Sequence, residues 1–229
     1  MSLKLYIDLL SQPSRALYIF LKVCNVPFES KIINLGKMQH LTEDYQKIHP
    51  FQQVPAIDHN GFKVFESGAI LRYITREFNT PDHWYPKDSK SQVKVDEYLE
   101  WHHLNTRLHC ASYFRQKYLM PMITGQPAVP EKIVSYEKQL IKCLNDLEKI
   151  WLNNTPYLVG SEISIADILG SCEIEQLRVT GFNPYEGRSR LAAWMKRVAD
   201  ETSPHYQEAH MLLDKLVKKT EEGMLKSKF

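Results

Sequence analysis

The sequence predicts two domains, a mixed α/β domain over residues 1–80 and an all-helical domain over residues 89–229. Three observations carry this. With 229 residues the chain exceeds one small domain and fits two of ordinary size. Apolar periodicities of two and of 3.6 alternate as far as about residue 80, and afterwards only the helical period persists. Between these regimes, Asn79 to Asp88 breaks every periodicity and contains two prolines, which places a linker at residues 81–88.

The first domain reads element by element. Leu3, Leu5, Ile7 and Leu9 alternate with polar or amphipathic residues, the pattern of a strand. Ser11-Gln12-Pro13-Ser14 then opens a helix to about Cys24, because proline suits a first turn whose amides lack intrahelical partners. Apolar Ala16, Leu17, Phe20, Leu21 and Cys24 continue it at helical spacing, and Asn25 and Pro27 stop it. A second strand runs from Phe28 to Leu35, followed by an irregular stretch through Pro50. Strand, helix and strand of this length fit a parallel pair with a crossover helix. Next comes a hairpin, with arms Val54–Ile57 and Phe62–Phe65 and a turn at His59-Asn60-Gly61. Asn-Gly is a strong hairpin signal because both central residues need positive φ. A helix from Ser67 carries Ile70, Leu71, Ile74 and Phe78. The order βαβ-ββα around a mixed four-stranded sheet is that of a thioredoxin-like domain, here without its redox dithiol.

Helices are expected in the second domain over Val93–Lys117 (bent), Glu131–Leu152, Ser164–Leu177, Arg190–Ala199 and His205–Val217. Ser164-Ile165-Ala166-Asp167 has the form of a capping box, flanked by Ile163 and Ile168 as a hydrophobic staple, and its role is structural.

Composition narrows the function classes. Hydrophobic content of 43% with 24% charged residues is that of a globular chain. The net charge is only +2, with 29 Lys and Arg against 27 Asp and Glu, so no nucleic-acid partner is expected. The densest basic stretch, Lys215, Lys218, Lys219, Lys226 and Lys228, is interrupted by Glu221 and Glu222 and reads as a solvated helix face. No apolar run reaches the roughly 18 residues of a membrane span, and the N-terminus lacks the pattern of a secretory signal. Four cysteines, Cys24, Cys110, Cys143 and Cys172, are widely spaced without metal or redox pairing, which points to a reducing, cytoplasmic compartment. His102, His103 and His109 offer no i, i+4 pair, so no metal is expected.

Several motifs together resemble the glutathione transferases, and among them the theta class. They are Leu5-Tyr6-Ile7-Asp8-Leu9-Leu10-Ser11-Gln12-Pro13 with Arg15-Ala16, Gln39-His40-Leu41, Val54-Pro55-Ala56, Glu66-Ser67, Trp84-Tyr85-Pro86, Val95 to Trp101, and Ile163 to Asp167. The resemblance runs to about Ala199, with a further match at Gln207–His210. It implies a glutathione-binding first domain, a helical domain shaping the pocket for an electrophile, reduced glutathione as co-substrate, and a homodimer. The implied reaction is conjugation of small hydrophobic alkyl halides, epoxides or activated alkenes, with possible peroxidase activity toward organic hydroperoxides. A non-catalytic binding or assembly module is the alternative.

The implied chemistry needs a thiolate, and Ser11 stands where a hydroxyl at a helix N-terminus can stabilise one. Read from its position alone, Ser11 is an ordinary helix cap before it is a catalyst, and Ser14 is a rival hydroxyl one turn on. By resemblance Ser11 is the catalytic residue. Val54 precedes a cis Pro55 and pairs with the cysteinyl unit, and Glu66 and Ser67 hold the γ-glutamyl end. His40 and Gln53 face the glycine carboxylate, while His103, Thr106 and Arg107 border the second substrate, with Arg107 a cation for an anionic leaving group. Theta enzymes often extend beyond this C-terminus to cover the site, so substrate choice inferred from such a lid does not carry over.

Overall fold

A computed structural model describes the chain over residues 2–226. The first domain comprises strand β1 (Leu3–Ile7), helix α1 (Gln12–Val23), β2 (Glu29–Ile32), the short α2 (Glu43–Gln46), β3 (Ala56–His59), β4 (Phe62–Phe65) and α3 (Ser67–Glu77). The strand order is β2-β1-β3-β4, with β1 parallel to β2 and antiparallel to β3. This is the thioredoxin-like arrangement expected from the element order.

Three departures have identifiable causes. β1 stops at Ile7 rather than Leu9 because the Asp8 carboxylate turns the chain, accepting from the amides of Leu10 and Leu35 at 2.9 Å each. The hairpin arm is Ala56–His59, shifted from the expected Val54–Ile57. Asn60 and Gly61, with φ of 54° and 92°, fill the turn alone, so His59 pairs with Phe62 inside the ladder. In the stretch expected to be irregular, Thr42 caps α2 by accepting from the Tyr45 amide at 3.3 Å.

Beyond a 3-10 turn at Asp82–Trp84 the described chain is helical: α4 (Ser89–His102), α5 (Leu108–Phe114), α6 (Met120–Thr124), α7 (Pro130–Asp146), α8 (Ile165–Glu175), α9 (Ser189–Glu201) and α10 (His205–Lys226). Between α4, α5 and α6 the path continues through wide π-type turns at His103–Arg107 and Arg115–Leu119. Lys215, Lys218 and Lys219 on α10 are solvent-exposed, while Lys228 and the side chain of Lys226 lie outside the described residues.

Every residue of α8 is buried, which makes it the central post of the molecule. Its capping box is present, and the Asp167 carboxylate also accepts from Leu158 N–H and the Trp194 indole at 2.8 Å each. Gly170 lets Tyr98 approach, since a Cβ there would lie 2.6 Å from the Tyr98 hydroxyl. α8 packs on α1, and this contact joins the sheet domain to the helical domain. Phe20 of α1 meets Trp84 edge-on at 5.4 Å, and Arg72 of α3 bonds Asp96 of α4 at 2.8 Å.

Candidate active site

The loop from β1 into α1 is fixed by hydrogen bonds that leave one hydroxyl over. Besides the Asp8 carboxylate bonds, the Asp8 carbonyl accepts from the Ser11 amide at 2.9 Å. The Arg15 guanidinium donates to the carbonyls of Leu9 at 2.9 Å and Leu10 at 3.3 Å. Its other arm reaches Cys172 O at 3.2 Å and Gln176 Oε1 at 2.7 Å on the helical domain. Ser11 occupies the N-cap position with extended φ and ψ, yet its hydroxyl makes no cap bond. The half-exposed Ser11 hydroxyl is therefore unused by the helix. Ser14, the rival, is fully buried, and its Oγ has no partner.

Facing this loop is a wall of unusual backbone. The Val54–Pro55 bond is cis, and Gln52 and Glu66 have φ of 55° and 71°. Such values cost a non-glycine residue about 1–3 kcal/mol and cluster at functional sites. The β3 pairing starts at Ala56, so Val54 keeps its N–H and C=O outside the ladder. Ser67 begins α3, whose first amides lack intrahelical acceptors and point positive potential at the cleft. Tyr45 supports this wall from behind by donating to the Gln53 carbonyl at 2.7 Å. His49, stacked on Phe65 at 4.8 Å, accepts the Phe51 amide at Nδ1. Burial lowers its proton affinity and favours the neutral ring.

The helical domain closes the far side. A cleft of about 110 Å³ gathers Gln53, Val54, Pro55, Glu66 and Ser67 opposite His103 and Arg107. Pro13, just inside α1, lines it, with Ser11 immediately before the helix. The π-type turn at His103–Arg107 carries all three residues expected to border the second substrate, His103, Thr106 and Arg107, and such turns recur at functional sites. His40, half-buried in a 3-10 turn at Gln39–Leu41, is not part of the cleft lining, and its Nδ1 is buried without a partner.

One expectation needs correction. Thr106 is fully buried, with its hydroxyl 3.3 Å from that of Tyr98, so it faces the helical core instead of the cleft. Arg107 does line the cleft, and it is paired there, its Nη1 donating to both oxygens of Glu173 at 2.9 and 3.1 Å.

Sequence reading also missed cleft residues. His102 is buried beside Tyr98, and desolvation lowers its pKa to about 3, so its imidazole is neutral. Glu173 sits in the last turn of α8, where the run Ser171-Cys172-Glu173-Ile174 reads as an ordinary helix. The Asp8 turn was open to detection, since aspartate often binds the amide two residues on. No local pattern marks Arg15, whose partners on the helical domain lie 157 and 161 positions away.

The chain's own thiols are poor nucleophiles. Burial pushes Cys24, Cys143 and Cys172 up to about 12, and it raises Cys110 well above the ordinary thiol value too. No cysteine lines the cleft, so a thiolate reacting there must come from a bound molecule. Among the described residues, no helix is long and apolar enough to cross a membrane.

Comparison with known proteins agrees with this geometry. The family model for the glutathione S-transferase N-terminal domain matches residues 1–76, and that for the C-terminal domain matches residues 111–201. The chain is 42% identical to glutathione S-transferase theta-3 of Mus musculus, over 92% of this chain and 88% of that protein. Its fold superposes on human glutathione-S-transferase T1-1 with a TM-score of 0.90 at 38% identity, covering 96% of this chain and 91% of that one. Human glutathione transferase theta-2, solved in complex with glutathione, gives a TM-score of 0.89 at 35% identity, covering 98% and 91%. On sequence, fold and cleft together, the chain belongs to the glutathione S-transferases, in the theta class.

Proposed function

We propose that this transferase activates reduced glutathione through the Ser11 hydroxyl and passes the thiolate to small hydrophobic electrophiles. The observation that carries this is the Ser11 hydroxyl, which stands at the start of α1 and caps nothing. In the bound state it donates to the sulfur. A free thiol has a pKa of about 8.5, so only a few per cent is ionised at neutral pH. Lowering that value by two units takes about 2.7 kcal/mol. One hydrogen bond to an anion contributes about 1.5–3 kcal/mol, and a helix N-terminus adds about 0.3–1 kcal/mol. Together these give about 1.8–4 kcal/mol, a range that brackets the requirement.

The rest of the cleft complements the tripeptide. Val54 offers its free backbone N–H and C=O to the cysteinyl unit, as an added strand would. Ser67 and the first amides of α3 receive the γ-glutamyl carboxylate, and Glu66 faces the amine. Gln53 and the unpartnered His40 serve the glycine end. Held there, the thiolate attacks the electrophilic carbon. A carbon–sulfur bond forms, the bond to halide or epoxide oxygen breaks, and the leaving group takes the electron pair. The thiol proton has already passed to solvent. His103 and Arg107 border the electrophile.

Alkyl halides and epoxides fit this step as substrates, and in an activated alkene the π bond breaks instead and the carbanion takes a proton from water. With an organic hydroperoxide the thiolate attacks oxygen, the O–O bond breaks with alcohol leaving, and a second glutathione reduces the sulfenic acid to give the disulfide and water. The role in the cytoplasm is detoxification. No step requires a metal. The division into a glutathione domain at 1–80, a linker at 81–88 and an electrophile domain at 89–229 belongs to the same reading. So does a homodimer, to which Phe51, 69% exposed beside Phe65, contributes apolar surface. The test is transfer of glutathione to an alkyl halide by wild type and Ser11→Ala. The variant should lose about a hundredfold in kcat/KM, by the measured scale of a lost hydrogen bond to developing negative charge, while calorimetry shows glutathione still bound. Equal turnover in both proteins would remove Ser11 from the mechanism.

A further inference from the structure

Glu173 takes part in no step above, yet it lies against the reacting region. Its side chain is 1% exposed, on a helix with no solvent-facing residue. A carboxylate there is tolerated only with a partner, and Arg107 supplies it through Nη1, which contacts both oxygens. The Arg107 side chain is 39% exposed, and its Nη2 and Nε make no hydrogen bond among the described residues. The guanidinium thus has one edge on Glu173 and its remaining donors free. Burial raises the Glu173 pKa, and Arg107 pulls it back toward the ionised form.

We propose that Glu173 is a specificity-determining residue: by holding Arg107 it keeps the electrophile end of the cleft near zero charge, so that neutral electrophiles are preferred over anionic ones. This rests on the assignment of the His103–Arg107 edge to the second substrate. A neutral halide meets the Arg107–Glu173 pair without disturbing it. An anionic group can reach the free Nη2 and Nε, but there it meets a cation whose charge Glu173 already offsets, and taking Nη1 as well would leave a buried carboxylate unpaired, a steep penalty. Replacing the carboxylate by an amide of the same shape removes the competitor and leaves the cation.

The probe is inorganic phosphate, titrated into the glutathione-loaded protein at constant ionic strength and with no electrophile present. Wild type, Glu173→Gln, Glu173→Asp and the double variant Glu173→Gln/Arg107→Gln are compared after circular dichroism shows each to be folded. Glu173→Gln should bind phosphate about tenfold more tightly, the scale of one charge-assisted hydrogen bond released to a ligand. The double variant should lose the gain, and Glu173→Asp, which keeps the charge, should not show it. Phosphate affinity unchanged in folded Glu173→Gln, or raised equally in Glu173→Asp, would overturn the proposal. Alkyl-halide turnover is followed in parallel. Its absence from wild type would sink the substrate assignment, while the phosphate titration still decides what Glu173 does to Arg107.

Discussion

Arg15→Met should destabilise the protein by about 4 kcal/mol, the scale of removing one partner from a buried charged network. Arg15 is fully buried, and its four hydrogen bonds go to Leu9 O, Leu10 O, Cys172 O and Gln176 Oε1. At about 2 kcal/mol for each bond to a charged donor, the gross contribution is about 8 kcal/mol. Desolvation of the cation, which lowers the Arg15 pKa, returns about half of this when the charge is removed. Methionine fills the volume but leaves three carbonyls and an amide unanswered. At about 2–4 °C per kcal/mol for a chain of this length, the melting temperature should fall by about 8–16 °C. Thermal unfolding followed by far-ultraviolet circular dichroism measures it, with a urea titration as a second reading. Arg15→Lys, which keeps the charge and loses the fork, should fall between the two. A drop under about 2 °C for Arg15→Met would show that those acceptors find other donors and that the account of this loop is wrong.

Two further outcomes follow from the same geometry. His210 donates from Nδ1 to the Tyr206 carbonyl at 2.7 Å, and burial lowers its pKa to about 3. The unfolded chain takes up a proton there below about pH 6.5 that the folded chain refuses until about pH 3, so stability falls as pH drops through that window. At pH 5 the loss from this one group is about 2 kcal/mol, and His210→Asn should lose that much less than wild type between pH 7 and 5 in urea unfolding. An identical pH slope in the two proteins would contradict it. Ser67→Ala should raise the KM for glutathione about tenfold with kcat nearly unchanged, since binding the γ-glutamyl end stabilises ground and transition states alike. A fall in kcat at constant KM would place Ser67 in the chemical step instead.

How much was legible in the sequence depended on how local each device is. The Asn60-Gly61 turn, the Ser164–Asp167 box and the helix opening at Ser11 each reside within a few residues, and each formed. Boundaries slipped where a distant group intervened. β1 ended two residues early because Asp8 also binds Leu35, 27 positions on. The helix expected over Val93–Lys117 runs instead from Ser89 to Thr124 as α4 to α6, continued through two π-type turns that periodicity does not mark. At the site, the residues of the first-domain wall lie close together in sequence, from Gln53 to Ser67, and come together in the cleft. Arg15, Glu173 and His102 were not legible, since each acts through tertiary contacts that periodicity does not register. Thr106 shows the converse, because its spacing alone cannot distinguish the cleft face of a helix from its core face once a π-type turn rotates the chain.

The central claim is that the Ser11 hydroxyl lowers the pKa of bound glutathione. Thiolate absorbance of the complex, followed against pH for wild type and Ser11→Ala, tests it directly. The account predicts a wild-type midpoint about two units below that of a free thiol, moving back toward the free value in the variant while glutathione stays bound. A bound thiol that titrates like the free one in both proteins would contradict the account.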